Sequence, residues 1–474
     1  MSDETTLPSL ALPKLPDAES LSNRIKASVV MKTIGRVSAV VGESIELDGI
    51  TAPIGAICQI QTNLGQKLKG RVIGFRGVHP LLAPLESLKS VTAGDPVQLI
   101  ENQQHLMVGE DLCGRVVDAF GEPLDGQCLP ATLDCMKVEQ NPPTTLERLA
   151  IDEPFETGVR VIDGLLTCGR GQRLGIFSGS GVGKSTLLGM LANGCEADRI
   201  VIAMVGERGR EVKEFIDHVL GKEGLARSVV VVATSDKPAA QRVSAAWTAT
   251  SIAESFRDQG HHVLLLFDSV TRFATAQREL GLAAGEPPTT RGYPPSVFQS
   301  LPRLVERAGC NEKGAITAFY TVLVEGDDHH EPIADSVRGL LDGHIVLSRD
   351  LAEASVYPPI DVLQSISRLQ PKLIQNEVSE AIVSVRRYLA DYRKHEDLIS
   401  IGAYRKGSDP RIDGAVVMSA LFRDYVNQDW REKSTLNEAR ELLLNLPVQA
   451  KKAIDSNDSV SVAKHDPIGT SVDL

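Results

Sequence analysis

The chain has 474 residues, 42% of them hydrophobic and 24% charged, and a formal net charge of −12. That length holds two or three domains around a sizeable core, while the acidic balance argues against a protein whose main partner is a phosphate backbone, because such binding needs clustered Lys and Arg. Its seven scattered cysteines include no C-x-x-C pair, so the pattern signals neither a disulfide framework nor a zinc site and suits a reducing cytoplasm.

The opening stretch, with prolines 8, 13 and 16, lacks the basic start and apolar core of a signal peptide and reads as flexible. DAESLSNRIKASVV then places Leu21, Ile25 and Val29 on one helical face. This short amphipathic helix serves either as a docking handle for another protein or as a lid on the next domain. From Met31 to about Ile100, short alternating runs such as TIGRVSAVV, AICQIQT and LKGRVIGF are punctuated by glycines, which predicts a small all-β barrel or sandwich. It contains no catalytic cluster. After a linker with Pro130, Pro142 and Pro143, strands and helices alternate: QRLGIF, RIVIAMV, SVVVVAT, VLLLF, AITAFYTVLV and HIVLSR are near-continuous apolar runs. The fold class expected is therefore α/β, a mostly parallel sheet covered on both faces. Beyond about Arg368 helical patterns take over, as in NEVSEAIVSVRRYLADYRK, and residues 451–474 are polar and patternless, read as disordered. No apolar run approaches membrane-spanning length.

LGIFSGSGVGKSTLL, residues 174–188, runs from a strand through three glycines into a helix. It reads as a nucleotide phosphate cradle, in which the backbone of Gly179, Ser180, Gly181, Val182 and Gly183 aims its N–H groups at phosphate over the positive end of the helix. Lys184 reaches the β- and γ-phosphates, and Ser185, followed by Thr186, offers a hydroxyl to Mg²⁺. Ser178 stands where the motif wants its first glycine. Asp268 ends the apolar run Val263–Phe267, eighty-four residues after Lys184, and as the partner of the glycine loop it is the carboxylate that holds Mg²⁺ through water. Glu207, just past RIVIAMV, is placed to polarise the attacking water, although Glu211 and Glu214 compete for that role on pattern alone. A positive charge must also face the leaving phosphate, and arginines 272, 278, 291, 303, 307, 338, 349 and 368 are all candidates on residue chemistry.

The run FDSVTRFATAQRELGLAAGEPPTTRGYPPSVFQSLPRLVERAG, with ETGVRVIDGLLTCGRGQRLGIF before it and YTVLVEGDDHHEPIADSVRGLLDGHIVLSR after it, resembles the protein-export ATPases of type III secretion. These are the flagellar and virulence-injectisome ATPases, relatives of the rotary ATP synthase catalytic subunit. The likeness spans about residues 30–445. It implies a small β-barrel (31–100) after an N-terminal segment (1–30), a RecA-like P-loop core (101–370), a helical C-terminal domain (371–450) and a tail (451–474), assembled as a homohexamer that hydrolyses ATP with Mg²⁺. It also selects Glu207 as the catalytic carboxylate. VYPPIDVLQSISR is similar to the family's adenine and arginine-finger segment, which implies Tyr357 stacking on adenine and Arg368 entering the next subunit's site; Trp430 in YVNQDW falls where relatives place a second aromatic. The implied partners are a stator or regulator at the N-terminal segment, export-gate proteins, chaperones and protein substrates, with no nucleic acid and only peripheral membrane contact. The implied location is cytoplasmic, at the inner-membrane export apparatus.

Wording such as DSVTRFATAQRE favours flagellar over injectisome export. A rotary ATPase subunit is the first rival, opposed by HEDLISIGAYRKGSDPRID, which lacks an acidic rotor-facing loop. A RecA-type RNA translocase is the second, opposed by the acidic balance and by the absence of an aromatic-basic strand face in residues 31–100.

Overall fold

The computed structural model describes residues 34–86, 88–324 and 331–455. The expected N-terminal helix and nearly all of the expected tail lie outside these residues; within them, the last helix continues to Asp455, past the expected start of the tail. Six strands, β1 (Ile34–Val41), β2 (Ser44–Asp48), β3 (Ile57–Gln61), β4 (Lys67–Arg76), β5 (His79–Pro84) and β6 (Pro96–Glu101), close into a barrel in the order β1-β2-β5-β4-β3-β6. Alternate residues such as Val37, Ile45, Leu47, Ile60, Val72, Leu82 and Val97 fill its interior, as period-two patterning requires. The barrel rests on the following domain through Arg71, which donates to Ser244 Oγ (3.3 Å) and pairs with Glu139, and through Gln241, whose amide donates to Leu85 O (2.6 Å).

Next come the ladder of β7 (His105–Val108) with β9 (Asp134–Lys137), the short β8 (Val116–Val117) between them, and the pair β10 (Pro154–Phe155) and β11 (Cys168–Gly169). The main sheet is built from β12 (Arg173–Ser178), β13 (Arg199–Val205), β14 (Ser228–Ala233), β15 (His262–Asp268), β17 (Ala315–Leu323), β18 (Gly343–Val346) and β19 (Ile366–Ser367), with β16 (Gly309–Cys310) pairing β17. Its order is β19-β18-β12-β17-β15-β13-β14-β8. All neighbours along that path are parallel except β18 and β19. Helices cover both faces, which is why its central strands carry no polar alternation. The sequence reading does not foresee β8, whose two residues add an edge strand beside β14.

Between β13 and β14 the chain is divided into an α-turn, Gly209–Glu214, a π-helical turn, Phe215–Leu220, and a further helix, Gly221–Ala226. The wider π turn keeps Phe215 and Leu220, five residues apart, both buried. The C-terminal region is three packed helices, Asn376–Ser400, Pro410–Val426 and Leu436–Asp455. Asp409 caps the second by accepting from Arg411 N (2.9 Å), with Pro410 opening the helix. Among the described residues no helix is long and apolar enough to cross a membrane.

Candidate active site

Three strands deliver the site. β12, β15 and β13 run parallel, with β17 between the first two, so the residues leaving their carboxyl ends converge on one crevice, the place where open α/β sheets take ligands. β12 passes into residues 179–183 and then into the helix Lys184–Gly194. Gly181 and Gly183 adopt φ +76° and +99°, a left-handed conformation that side chains strain to enter. Gly179 has no such φ, so two of the three glycines are demanded by backbone geometry. Val182 turns its side chain into the core and anchors the loop, leaving Ser180, Gly181, Ser185 and Thr186 exposed. Ser178 is still strand: it pairs with Leu323, its carbonyl accepts from Val324 N (3.0 Å), and its buried hydroxyl has no hydrogen-bond partner among the described residues.

Lys184 lies between two carboxylates. Its Nζ donates to Glu207 Oε1 (3.2 Å) and pairs with Asp268. Asp268 ends β15 opposite Met204 of β13 and is 3% exposed. Burial pushes its carboxyl above the usual range and the Glu207 charge adds to that, while Lys184 and the Thr321 hydroxyl oppose it. Thr321, fully buried on β17, donates to Asp268 Oδ1 (2.7 Å). Glu207 follows Gly206, whose φ of +76° and close approach to Arg272 (2.8 Å to its Cβ from an added methyl) leave no room for a side chain. Its own carbonyl accepts from Ser235 N (3.0 Å), fixing the turn. Of the three carboxylates left open by pattern, Glu207 is the one brought to Lys184. Glu211 instead pairs with Arg208 (3.3 Å), and Glu214 is exposed on the next helical turn.

Tyr357 sits above the loop. A methyl added to Gly183 would lie 4.0 Å from its ring and 3.7 Å from Pro359, and nearby Arg349 donates to Ser180 O (3.2 Å). Tyr357 is 46% exposed, which leaves its side chain open to a flat ligand. Trp430 lies in the segment that touches Tyr357, and its own ring carries the Arg431 guanidinium 4.5 Å from the centroid. Arg368 is elsewhere. It follows β19, and its backbone N donates to Asp342 O (2.9 Å) where Asp342 in turn pairs with Arg173, the first residue of β12. The length of β12, about 16 Å, therefore separates it from the phosphate loop. Its exposed guanidinium donates to Arg338 O (3.3 Å). Arg307, another sequence candidate, is fully buried in an ion pair with Glu254 and a bond to Ser251 Oγ (2.9 Å), which makes it structural.

Among the described residues no group of three or more His, Cys, Asp or Glu forms a cage for a metal. A Mg²⁺ ion asks for one or two protein oxygens, with phosphates and waters supplying the rest, and the Ser185 hydroxyl at the start of the loop helix and the Asp268 carboxylate at the end of β15 are two such oxygens. Thr321, Asn427 and Gln428 are the site residues that sequence reasoning misses; a threonine inside the apolar run AITAFYTVLV is the one readable signal among them.

Residues 158–367 match the family model of the ATP synthase alpha/beta family nucleotide-binding domain, and residues 374–445 that of the T3SS EscN ATPase C-terminal domain. The chain is 51% identical over 430 residues to the flagellum-specific ATP synthase of Bacillus subtilis, covering 90% of this chain and 98% of that one. It superposes on the assembled ATPase EscN of the enteropathogenic E. coli type III secretion system with a TM-score of 0.82 at 44% identity, covering 87% of this chain and 99% of the other. The similarity extends to EscN in complex with its central stalk EscO, at a TM-score of 0.80 and 44% identity, with the same coverage. The barrel, the P-loop sheet, the helical C-terminal region and these matches agree: the chain belongs to the ATPases of type III protein export, within the ATP synthase alpha/beta family.

Proposed function

We propose that this chain hydrolyses ATP for a flagellar type III export apparatus, as a homohexamer whose active sites lie between protomers. The observation that carries the reading is the separation just described: Lys184, Glu207 and Asp268 meet at one end of the sheet while Arg368 is exposed at the other. An arginine about 16 Å of strand away cannot serve its own chain's phosphates, but a ring of like protomers would bring it to the neighbour's. When ATP enters, Lys184 exchanges its carboxylates for the β- and γ-phosphates. The backbone N–H groups of residues 179–184 and the helix behind them hold the same oxygens. Ser185 and Asp268 would hold Mg²⁺, which when bound neutralises phosphate charge. Glu207, freed from Lys184, orients a water and takes its proton as oxygen bonds to the γ-phosphorus and the bond to the β–γ bridging oxygen breaks. The neighbour's Arg368 balances charge on the departing diphosphate, and Tyr357, with Trp430 beside it, holds the adenine.

The flagellar assignment is supported by 51% identity to the Bacillus subtilis protein over 98% of its length, and the SPI-2 type 3 secretion system ATPase of Salmonella typhimurium, 52% identical over 83% of its length, makes injectisome export the alternative. The implied location is the cytoplasmic face of the export apparatus, with gate proteins, chaperones, substrates and a stalk protein as partners; EscN forms such a complex with EscO. Mixing tests the shared site: Arg368→Ala and Glu207→Gln proteins are each inactive, and together they regain part of the activity. If the mixture stays dead while wild type treated alike remains active, the shared site is wrong. Restored swimming of a Bacillus subtilis strain lacking its own flagellum-specific ATP synthase supports the flagellar reading; failure alongside rescue of an injectisome mutant reverses it.

A further inference from the structure

Tyr357 is held from a distant part of the chain. Its backbone N donates to Asn427 Oδ1 (3.0 Å) and its carbonyl accepts from Gln428 N (2.9 Å), so two consecutive residues grip both sides of its peptide. These residues follow the C-terminal helix Pro410–Val426. Gln428 is itself fixed: its side chain, 4% exposed, accepts from Arg160 N (2.8 Å) and donates to Gly158 O (2.8 Å) and Glu432 O (3.0 Å). Gly158, at φ +78°, packs so closely on Gly194 that an added methyl would lie 2.6 Å from its Cα. Gly194 ends the phosphate-loop helix and Gly183, under Tyr357, precedes it. The contacts thus run round that helix as a closed loop: Gly183, Tyr357, Asn427 and Gln428, Gly158, Gly194.

We propose that Asn427 and Gln428 are positioning residues that set the height of the Tyr357 ring over the phosphate loop, so that adenine affinity is governed from the C-terminal helices. The inference rests on the reading of Tyr357 as the adenine platform. The two carbonyl and amide bonds fix the backbone that carries the ring, whereas the exposed side chain itself has, among the described residues, a bond from its hydroxyl to Ala352 O (3.3 Å). With the backbone grip released, the ring samples other heights and stacking is lost for part of the time. A triphosphate still binds through the loop, and chemistry at the γ-phosphate is untouched.

Asn427 is exposed, so Asn427→Ala removes an acceptor without opening a cavity. Steady-state hydrolysis of ATP, and its competitive inhibition by inorganic triphosphate, which has no base to stack, are compared for wild type, Asn427→Ala, Asn427→Asp and Tyr357→Ala. Expected is an Asn427→Ala KM for ATP about three- to tenfold higher, the worth of one hydrogen bond, with kcat within about twofold and the inhibition constant of inorganic triphosphate little changed. Asn427→Asp keeps the acceptor and keeps the wild-type KM. If Tyr357→Ala raises the KM for ATP and Asn427→Ala does not, the positioning role is overturned while the platform stands. If Asn427→Ala raises the KM for ATP and the inhibition constant of inorganic triphosphate alike and lowers the melting temperature, the residue is merely structural and the proposal fails. An unchanged KM in Tyr357→Ala removes the platform and this inference with it.

Discussion

At the carboxyl end of the sheet, Lys184, Glu207 and Asp268 are drawn together with side chains 12%, 13% and 4% exposed, whereas at the amino end Arg368 stands in solvent beside Arg338 and Asp342. The first cluster is costly by itself. Two carboxylates close to one ammonium, away from water, push the more buried acid up in pKa, and an arrangement that pays stability in this way belongs where charge is to be redistributed on binding. Arg368 has the opposite character: little in its own protomer depends on it. One end therefore gathers opposite charges away from water, and the other presents an exposed cation. Substitutions at the two ends should separate activity from stability in different ways.

The largest effect is expected at the exposed end. Arg368→Ala should lower kcat by about 10³- to 10⁵-fold, the range for an arginine supplied in trans, while the melting temperature stays within error because only one bond to Arg338 O is lost. A kcat within tenfold of wild type, measured on assembled protein, would remove Arg368 from the site. Glu207→Gln comes next, with a loss of about 10²- to 10⁴-fold in kcat. Here the melting temperature should rise, because Lys184 then answers a single carboxylate and the repulsion acting on Asp268 is gone. Unaltered turnover would return the role to Glu211 or Glu214.

How far the sequence foretells this contrast depends on the range of the interaction. The glycine loop, the strand runs and Asp268 are legible because each is a local pattern: an apolar strand, then a turn, then a helix. Glu207 is not separable from its neighbours locally; what selects it is the register of β13 against β15, which sets Met204 beside Asp268 and leaves the next residues at Lys184. Arg368 is one arginine among eight by residue chemistry, and only its place past β19, at the far end from the loop, distinguishes it physically. Thr321 and Gln428 act through bonds spanning 53 and 270 positions, which no periodicity encodes. The π turn at Phe215–Leu220 is hidden for a related reason, since a helix pattern does not announce where a turn widens to bury one more side chain.

The amino end also holds a titratable group that stability, not activity, should report. His262 opens β15, bonds to Thr317 Oγ1 (2.8 Å) and packs against Phe155, and burial lowers its pKa from 6.5 to about 4. The folded chain keeps the ring neutral, so its contribution is intact above pH 6.5 and is lost as pH falls toward 4, because the unfolded chain takes up the proton first. The loss amounts to about 3 kcal/mol below that window. Asp163, pushed up to about 7 by burial, favours the folded chain over part of the same descent and partly masks it. The measurement is therefore the difference in melting temperature between wild type and His262→Gln from pH 7 to 4, which should shift steadily in favour of the variant; a pH-independent difference removes His262 as the cause.

The smallest expected effect returns to the carboxyl end, at the position where the phosphate motif is broken. Ser178 replaces the motif's first glycine without strain because it is the last residue of β12 rather than part of the turn, with ordinary strand pairing to Leu323. Its buried hydroxyl has no partner among the described residues, and an unsatisfied hydroxyl costs about 1 kcal/mol or more. Ser178→Ala should accordingly raise unfolding stability by about 1 kcal/mol, with kcat/KM for ATP unchanged, since the loop glycines with left-handed backbone lie further on. Should kcat/KM fall instead, the hydroxyl reaches the nucleotide, and the cradle begins at the last residue of β12.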